Sequence, residues 1–169
     1  MDLKNVSYKL VGVIFLVISL CLMTQTIKAK EWNGIVPLKS SREDVEKLLG
    51  KPDENGGYKI KGQYGFIRYS LSDCTAPENC ICPVGKDIVI EINVFIHYKL
   101  KLKKLKLDLR NYRKKVDPEL LVYETYSNYD EGIEYVVFRE ENTVVSITYL
   151  PAKQDCEEAL KRKSEMRQE

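Results

Sequence analysis

Three cysteines fall within nine positions of the stretch SDCTAPENCICPVGK, residues 72 to 86. Cys74, Cys80 and Cys82 have the spacing C-x5-C-x-C, and a fourth thiol, Cys156, lies far downstream. Clustered thiols support three chemistries. As thiolates they hold zinc or copper(I), as a low-pKa pair they exchange disulfides, and as oxidised pairs they crosslink the chain. Structural zinc sites favour C-x2-C knuckles and redox enzymes favour C-x-x-C. Neither spacing occurs here, and His97, the single histidine, is not near the cluster in sequence. Crosslinking is therefore the expectation, with no metal and no cofactor.

Disulfides persist outside the cytosol, and the first thirty residues point there. Lys4 and Lys9 give a basic start, Leu10 to Met23 is an uncharged and largely apolar run of fourteen, and Ala29 is a small residue before a cut. That is the layout of a secretory signal peptide over residues 1–29. The alternative, a retained membrane anchor, needs about 20 apolar residues. Cys21 raises lipid acylation as a further alternative, but Leu20 precedes it where a small residue is normal. Removing residues 1–29 of 169 takes away three lysines and one aspartate, leaving 24 basic and 24 acidic groups. A balanced chain argues against a general nucleic-acid binder, which carries a strong positive excess. The remaining four cysteines, Cys74, Cys80, Cys82 and Cys156, form an even set that predicts two disulfides. A Cys80–Cys82 ring would be strained. One cluster cysteine is expected to join Cys156 while the other two close the loop locally. The long bond would enclose over seventy residues, and would contribute about 4 kcal/mol through chain entropy.

The second motif with chemical content is KLKLKKLKLDLRNYRKK, residues 99 to 115. Its nine cations are Lys99, Lys101, Lys103, Lys104, Lys106, Arg110, Arg113, Lys114 and Lys115, against one acid, Asp108. Such a strip can take phosphate-rich partners. It can equally be a lysine-decorated edge strand that discourages sheet pairing, or one half of a charge-compensated pair of strands. Residues 117 to 141 carry eight acids and one base, Arg139, which favours compensation. His97 could serve acid–base chemistry. No Ser-His-Asp set, Gly-rich phosphate loop or metal-ligand histidine pair accompanies it, so no catalytic residue is expected.

The elements that must position these residues are legible from periodicity. Ser40 with Glu43, or Ser41 with Asp44, fits a capping box. Val45, Leu48 and Leu49 form an i, i+3, i+4 stripe, ended by Gly50 and Pro52. The spacing predicts an amphipathic helix of about nine residues. The period then changes to two. YKIKGQYGFIRYS (58–70) predicts two short strands around Gly62. DIVIEINVFIHY (87–98) predicts a strand with Ile88, Ile90, Ile92, Val94 and Ile96 on its apolar side. Residues 120–127, 132–139 and 142–150, with short polar links, predict an antiparallel meander.

The helix residues Ser41, Val45, Leu49, Gly50 and Pro52 have the spacing S/T-x3-V-x3-L-G-x-P. This resembles the helical motif of the SmpA/OmlA (BamE-like) family of envelope lipoproteins and of β-lactamase-inhibitor-like domains. The motif's usual Gly two positions before the Ser/Thr is Lys39 here. The chain is also similar to a family of small exported bacterial proteins. It shares their W-x-G-I-V-P-L-x-S opening (Trp32 to Ser40), YS…C segment (Tyr69 to Cys74) and I-x-Y-x-P close (Ile147 to Pro151). The resemblance implies a small exported α+β domain. The expected architecture is an α+β domain over residues 30–152, with a short N-terminal amphipathic helix packed on an antiparallel, meander-rich sheet. A weakly ordered charged tail over 153–169 is expected to follow. The expected function is non-enzymatic binding of another envelope or extracellular protein, through the sheet face or the cysteine loop. The rival expectation is an anionic-surface binder, for lipid headgroups or polysaccharide, acting through residues 99–115. Nucleic acid is not an expected partner, and a membrane is one only through an uncleaved N-terminal segment.

Overall fold

The computed structural model describes residues 29–71, 84–116 and 118–165. Helix α1 (Arg42–Leu49) is followed by strands β1 (Gly57–Ile60), β2 (Gln63–Tyr69) and β3 (Val89–Lys101). Two 3-10 turns, Leu102–Leu105 and Leu109–Asn111, then lead to β4 (Arg113–Val116). Strands β5 (Tyr123–Asn128), β6 (Ile133–Phe138) and β7 (Thr143–Tyr149) follow, and helix α2 (Lys153–Glu165) is last. All seven strands form one antiparallel sheet in the order β1-β2-β3-β7-β6-β5-β4. Two meanders, β1-β2-β3 and β4-β5-β6-β7, are thus joined side by side where β3 pairs with β7.

This corrects the α+β expectation. The chain is predominantly one β-sheet with two short helices, and the segment at 42–49 is not an N-terminal helix that roofs it. The physical reason is size. Eight residues make only about two turns, and just one of them, Val45, is buried. Leu49 packs partly, while Leu48 is 56% exposed. The local chemistry of α1 is nonetheless that of a capped helix. The Ser41 backbone N–H donates to Asp44 Oδ2 at 2.8 Å, and the Asp44 N–H donates to Ser41 Oγ at 3.1 Å. Ser40 instead accepts from the Val36 N–H. Gly50 ends the helix at φ 79°, in the left-handed region that favours glycine.

The inner face of the sheet carries two core clusters. Under β1–β3, Val45, Trp32 and Ile35 pack on Tyr58, Val89, Ile92 and Val94. Trp32 lies directly over Gly65, where an added Cβ would come within 2.3 Å of the indole, and its Nε1 donates to Gln63 Oε1 at 2.8 Å. Under β5–β7 the cluster comprises Tyr126, Ile133, Tyr135, Val137, Val144 and Ile147. Its cover is not a helix but the crossover from β3 to the far edge. Leu102 is buried there, with Leu105, Leu107 and Tyr112 partly so. The crossover therefore works as a lid, with Leu102, Leu105 and Leu107 turned in and Lys103, Lys104 and Lys106 turned out.

The expected inward row of β3 also needs correction. Ile92 and Val94 are buried, but the next buried residue is Val89, and Ile90 and Ile88 are only half-buried. The pairing shifts between Arg68 and Tyr69, which face Glu91 and Val89 respectively. One extra residue on β3 reverses the alternation beyond that point.

Three substitutions check this packing. Ile92→Ala is expected to lower urea-unfolding stability by about 2–5 kcal/mol, whereas Leu48→Ala should change it by less than about 0.5 kcal/mol. Gly65→Ala is expected to destabilise by about 1–3 kcal/mol through overpacking against Trp32.

Candidate functional site

The outer face of the sheet is where the described side chains leave chemistry exposed. On β2, Gly65 faces the core, so Tyr64 and Phe66 project outward. On β3, Val94 faces the core, so Phe95 and Asn93 project outward, Asn93 opposite Phe66 and Phe95 opposite Tyr64. The result is an aromatic row. Tyr64 and Phe66 meet edge-on at 5.0 Å between centroids, Phe66 and Phe95 edge-on at 6.2 Å, and His97 lies 6.5 Å from Tyr64. Phe66 and Phe95 are 39% and 42% exposed. Asp53, in the turn before β1, anchors one end. Its carboxylate accepts from the Tyr64 hydroxyl at 2.9 Å and from the backbone N–H groups of Gly57 and Asn55. The Gly57 N–H and the Tyr64 hydroxyl hold the Asp53 carboxyl below its ordinary value. Among the described residues, His97 has no ion-pair or hydrogen-bond partner through its ring, and no group of three His, Cys, Asp or Glu is placed to hold a metal ion. No helix of the described residues is long and apolar enough to cross a membrane.

The cationic strip is dispersed. Lys99 and Lys101 both pair with Glu141, at 2.7 and 3.7 Å. Arg110 pairs with Asp108 at 2.8 Å. Lys114 pairs with Glu124 at 2.7 Å, and Arg139 approaches the same carboxylate at 3.7 Å. Lys103, Lys104 and Lys106 lie exposed on the crossover, and Arg113 and Lys115 on the edge strand β4. These five have no ion pair among the described residues. Glu124 is 7% exposed and clamps the edge strand to the meander, since Tyr126 also donates its hydroxyl to it at 2.7 Å. Burial pushes the Glu124 carboxyl up, but the Lys114 and Tyr126 hydrogen bonds outweigh it and leave the group below its ordinary value.

Of the thiols, Cys156 is described and Cys74, Cys80 and Cys82 lie outside the described residues. Cys156 is half-buried in the first turn of α2, where its N–H donates to Ala152 O. Next to it, the buried Asp155 pairs with Lys39 at 2.8 Å. Ser40, beside Lys39, accepts at its carbonyl from the Val89 N–H. The adjoining Ile88 N–H donates to Ser70 Oγ at 3.0 Å, and the Ser70 hydroxyl donates to Gly85 O. Ser70 and Gly85 flank the cysteine stretch on either side, so its two roots are pinned together at the end of the sheet where α2 begins.

Two features escape sequence inspection. The aromatic row is visible only as aromatics at the polar positions of two alternating strands, and those strands had first to be known as neighbours. The lid role of Leu102, Leu105 and Leu107 depends on where β4 goes, which local pattern does not encode.

No protein-family model matches the chain, and no curated protein matches it. Two solved chains do match. One is a cysteine-rich secretory protein from Staphylococcus aureus subsp. aureus Mu50, at 10% sequence identity and a TM-score of 0.29. The match covers 72% of this chain and 50% of that one, so the chain spans half of that protein's length. At that TM-score the likeness carries no argument.

The buried clamp gives a pH prediction. A carboxyl whose folded value is depressed adds stability above the unfolded value, about pH 4.3. That stability is lost as pH falls through the folded value. Wild-type melting temperature should therefore decline as the pH falls below about 5, and Glu124→Gln should make that decline shallower while lowering stability at neutral pH. Thermal scans across pH read both effects.

Proposed function

We propose that the chain is an exported, disulfide-stabilised, non-enzymatic binding domain that contacts another envelope or extracellular protein through the outer face of its sheet. The observation that carries this is the aromatic row of Tyr64, Phe66 and Phe95 on an open sheet face. Large aromatics are enriched in the buried centres of protein interfaces, where their area is recovered when a partner excludes water. Scattered exposed apolar residues need no explanation, but a contiguous cluster on a rigid sheet does.

The staple is part of the proposal. One thiol of the Cys74, Cys80, Cys82 group bonds Cys156, and the other two bond each other. Support comes from the Asp155–Lys39–Ser40–Val89 chain of contacts, which brings the first turn of α2 to the roots of the cysteine stretch. Export follows from the signal-peptide pattern of residues 1–29 and from the need of such bonds for an oxidising compartment.

Two measurements check these claims. Mass spectrometry of the natively exported protein is expected to give an N-terminus at Lys30 and no free thiol; a cytosolic protein retaining Met1 with four reduced cysteines would refute the compartment. A photo-crosslinker at Arg68, beside the aromatic row, is expected to trap a discrete envelope or extracellular protein. Adding Phe66→Ser and Phe95→Ser should abolish the adduct without changing the melting temperature by more than a few degrees. An adduct that survives the double substitution would rule out the aromatic face as the contact.

A further inference from the structure

At the other end of the same outer face, the edge strand β4 builds a pocket that compensated charge does not fill. Arg113 and Lys115 alternate with the clamped Lys114, so they share the face opposite Glu124. Across the strand pair they oppose Ser127 and Thr125 respectively. Together with Tyr129 and Glu134 these residues line one concave site of about 340 Å³. The Ser127 hydroxyl is committed, donating to Glu134 Oε2 at 2.7 Å. The hydroxyls of Thr125 and Tyr129 have no partner among the described residues, and neither cation has an ion pair there. Two cations and two hydroxyls without a partner among the described residues therefore line one hollow, beside the Glu134 carboxylate.

We propose that this hollow binds a phosphodiester group. Two cations and one carboxylate leave the site a net single positive charge, which matches a monoanion better than a dianionic phosphate monoester. A phosphodiester also offers four oxygens around one centre to the dispersed donors, whereas a carboxylate offers two in a plane. Arginine forks two N–H groups onto such an anion, and lysine adds a point charge. The proposal is independent of the protein contact above, because it uses β4–β6 rather than β2–β3. It also narrows the cationic strip to two residues. Lys99, Lys101, Arg110 and Lys114 are already paired, and Lys103, Lys104 and Lys106 are outside the hollow.

The chemistry is shared by phospholipid headgroups and by soluble glycerol phosphodiesters, and the test separates them. The mature oxidised protein is titrated at about 0.15 M salt, where surface charge is well screened. The probes are phosphatidylglycerol vesicles, phosphatidylcholine vesicles, glycerophosphoglycerol in solution, and polyglutamate. Binding of the anionic vesicles or of the soluble diester is expected. The double variant Arg113→Gln/Lys115→Gln should weaken it about tenfold or more, since it removes both charge-assisted hydrogen bonds. The double variant Lys103→Gln/Lys104→Gln removes the same charge and should stay within about twofold of wild type. Thr125→Val, which changes no charge, should weaken binding several-fold. Vesicle binding without soluble-diester binding assigns the lipid source, and the converse assigns the soluble one; both support the site. Equal loss in the two double variants overturns it as diffuse attraction. Binding of polyglutamate at Arg113 and Lys115 with neither diester bound overturns it as a carboxylate site. Failure of every probe to bind overturns it outright. Melting temperatures within a few degrees of wild type confirm that each exposed substitution leaves the fold intact.

Discussion

The pairing of β3 with β7 is the constraint on which the rest depends. It welds two meanders that would otherwise be separate hairpin stacks, through Ile92 opposite Tyr149, Val94 opposite Ile147 and Leu100 opposite Val144. Those partners lie roughly fifty residues apart in the chain, so the ladder between them must be closed against loop entropy before it yields anything. The two cores flank this seam, and Tyr149 packs against both. An antiparallel sheet with one covered face and one wet face follows. The covered face is assembled piecemeal, from the Trp32 segment and α1 on one side and the leucine-lined crossover on the other. The wet face is left to do work.

Much of this was legible in the sequence wherever the signal was local. The capping pair Ser41 and Asp44, the stop at Gly50 and the three strands of the final meander all announce themselves by short-range chemistry. What local pattern does not carry is tertiary. Val45, Leu48 and Leu49 form a stripe on paper, but α1 reaches only the first cluster, and Leu48 stays in water. Alternation predicts one unbroken apolar row on β3, whereas the irregularity opposite Arg68 and Tyr69 swaps inside for outside. The basic run looked like a charged strand or a binding strip. Its leucines are spaced to roof a core whose existence depends on strand order, and strand order is not written in any window of residues.

Electrostatics shows the same division between local and distant. Residues 30–169 carry equal numbers of acids and bases, and Glu124 and Glu141 supply compensation to four cations, counting Arg139. The compensation is uneven. Acids of the meander pair with the inner side of β4 and the end of β3; on the outer side of β4 the one acid, Glu134, takes the Ser127 hydroxyl and forms no ion pair with Arg113 or Lys115 among the described residues. The candidate surfaces thus occupy opposite ends of one face, aromatic over β2–β3 and cationic over β4–β5, and neither could be drawn before the register was known.

One consequence of the strand order concerns breathing motions. Strand β4 is an internal segment of the chain yet sits on the rim, four residues long, all exposed, with a ladder on one side only. Elements of that kind open locally long before the molecule as a whole. Deuterium uptake at β4 should therefore outpace uptake at the central strands β3 and β7. A ligand seated across Arg113 and Lys115 would slow that uptake at a rim far from the central seam.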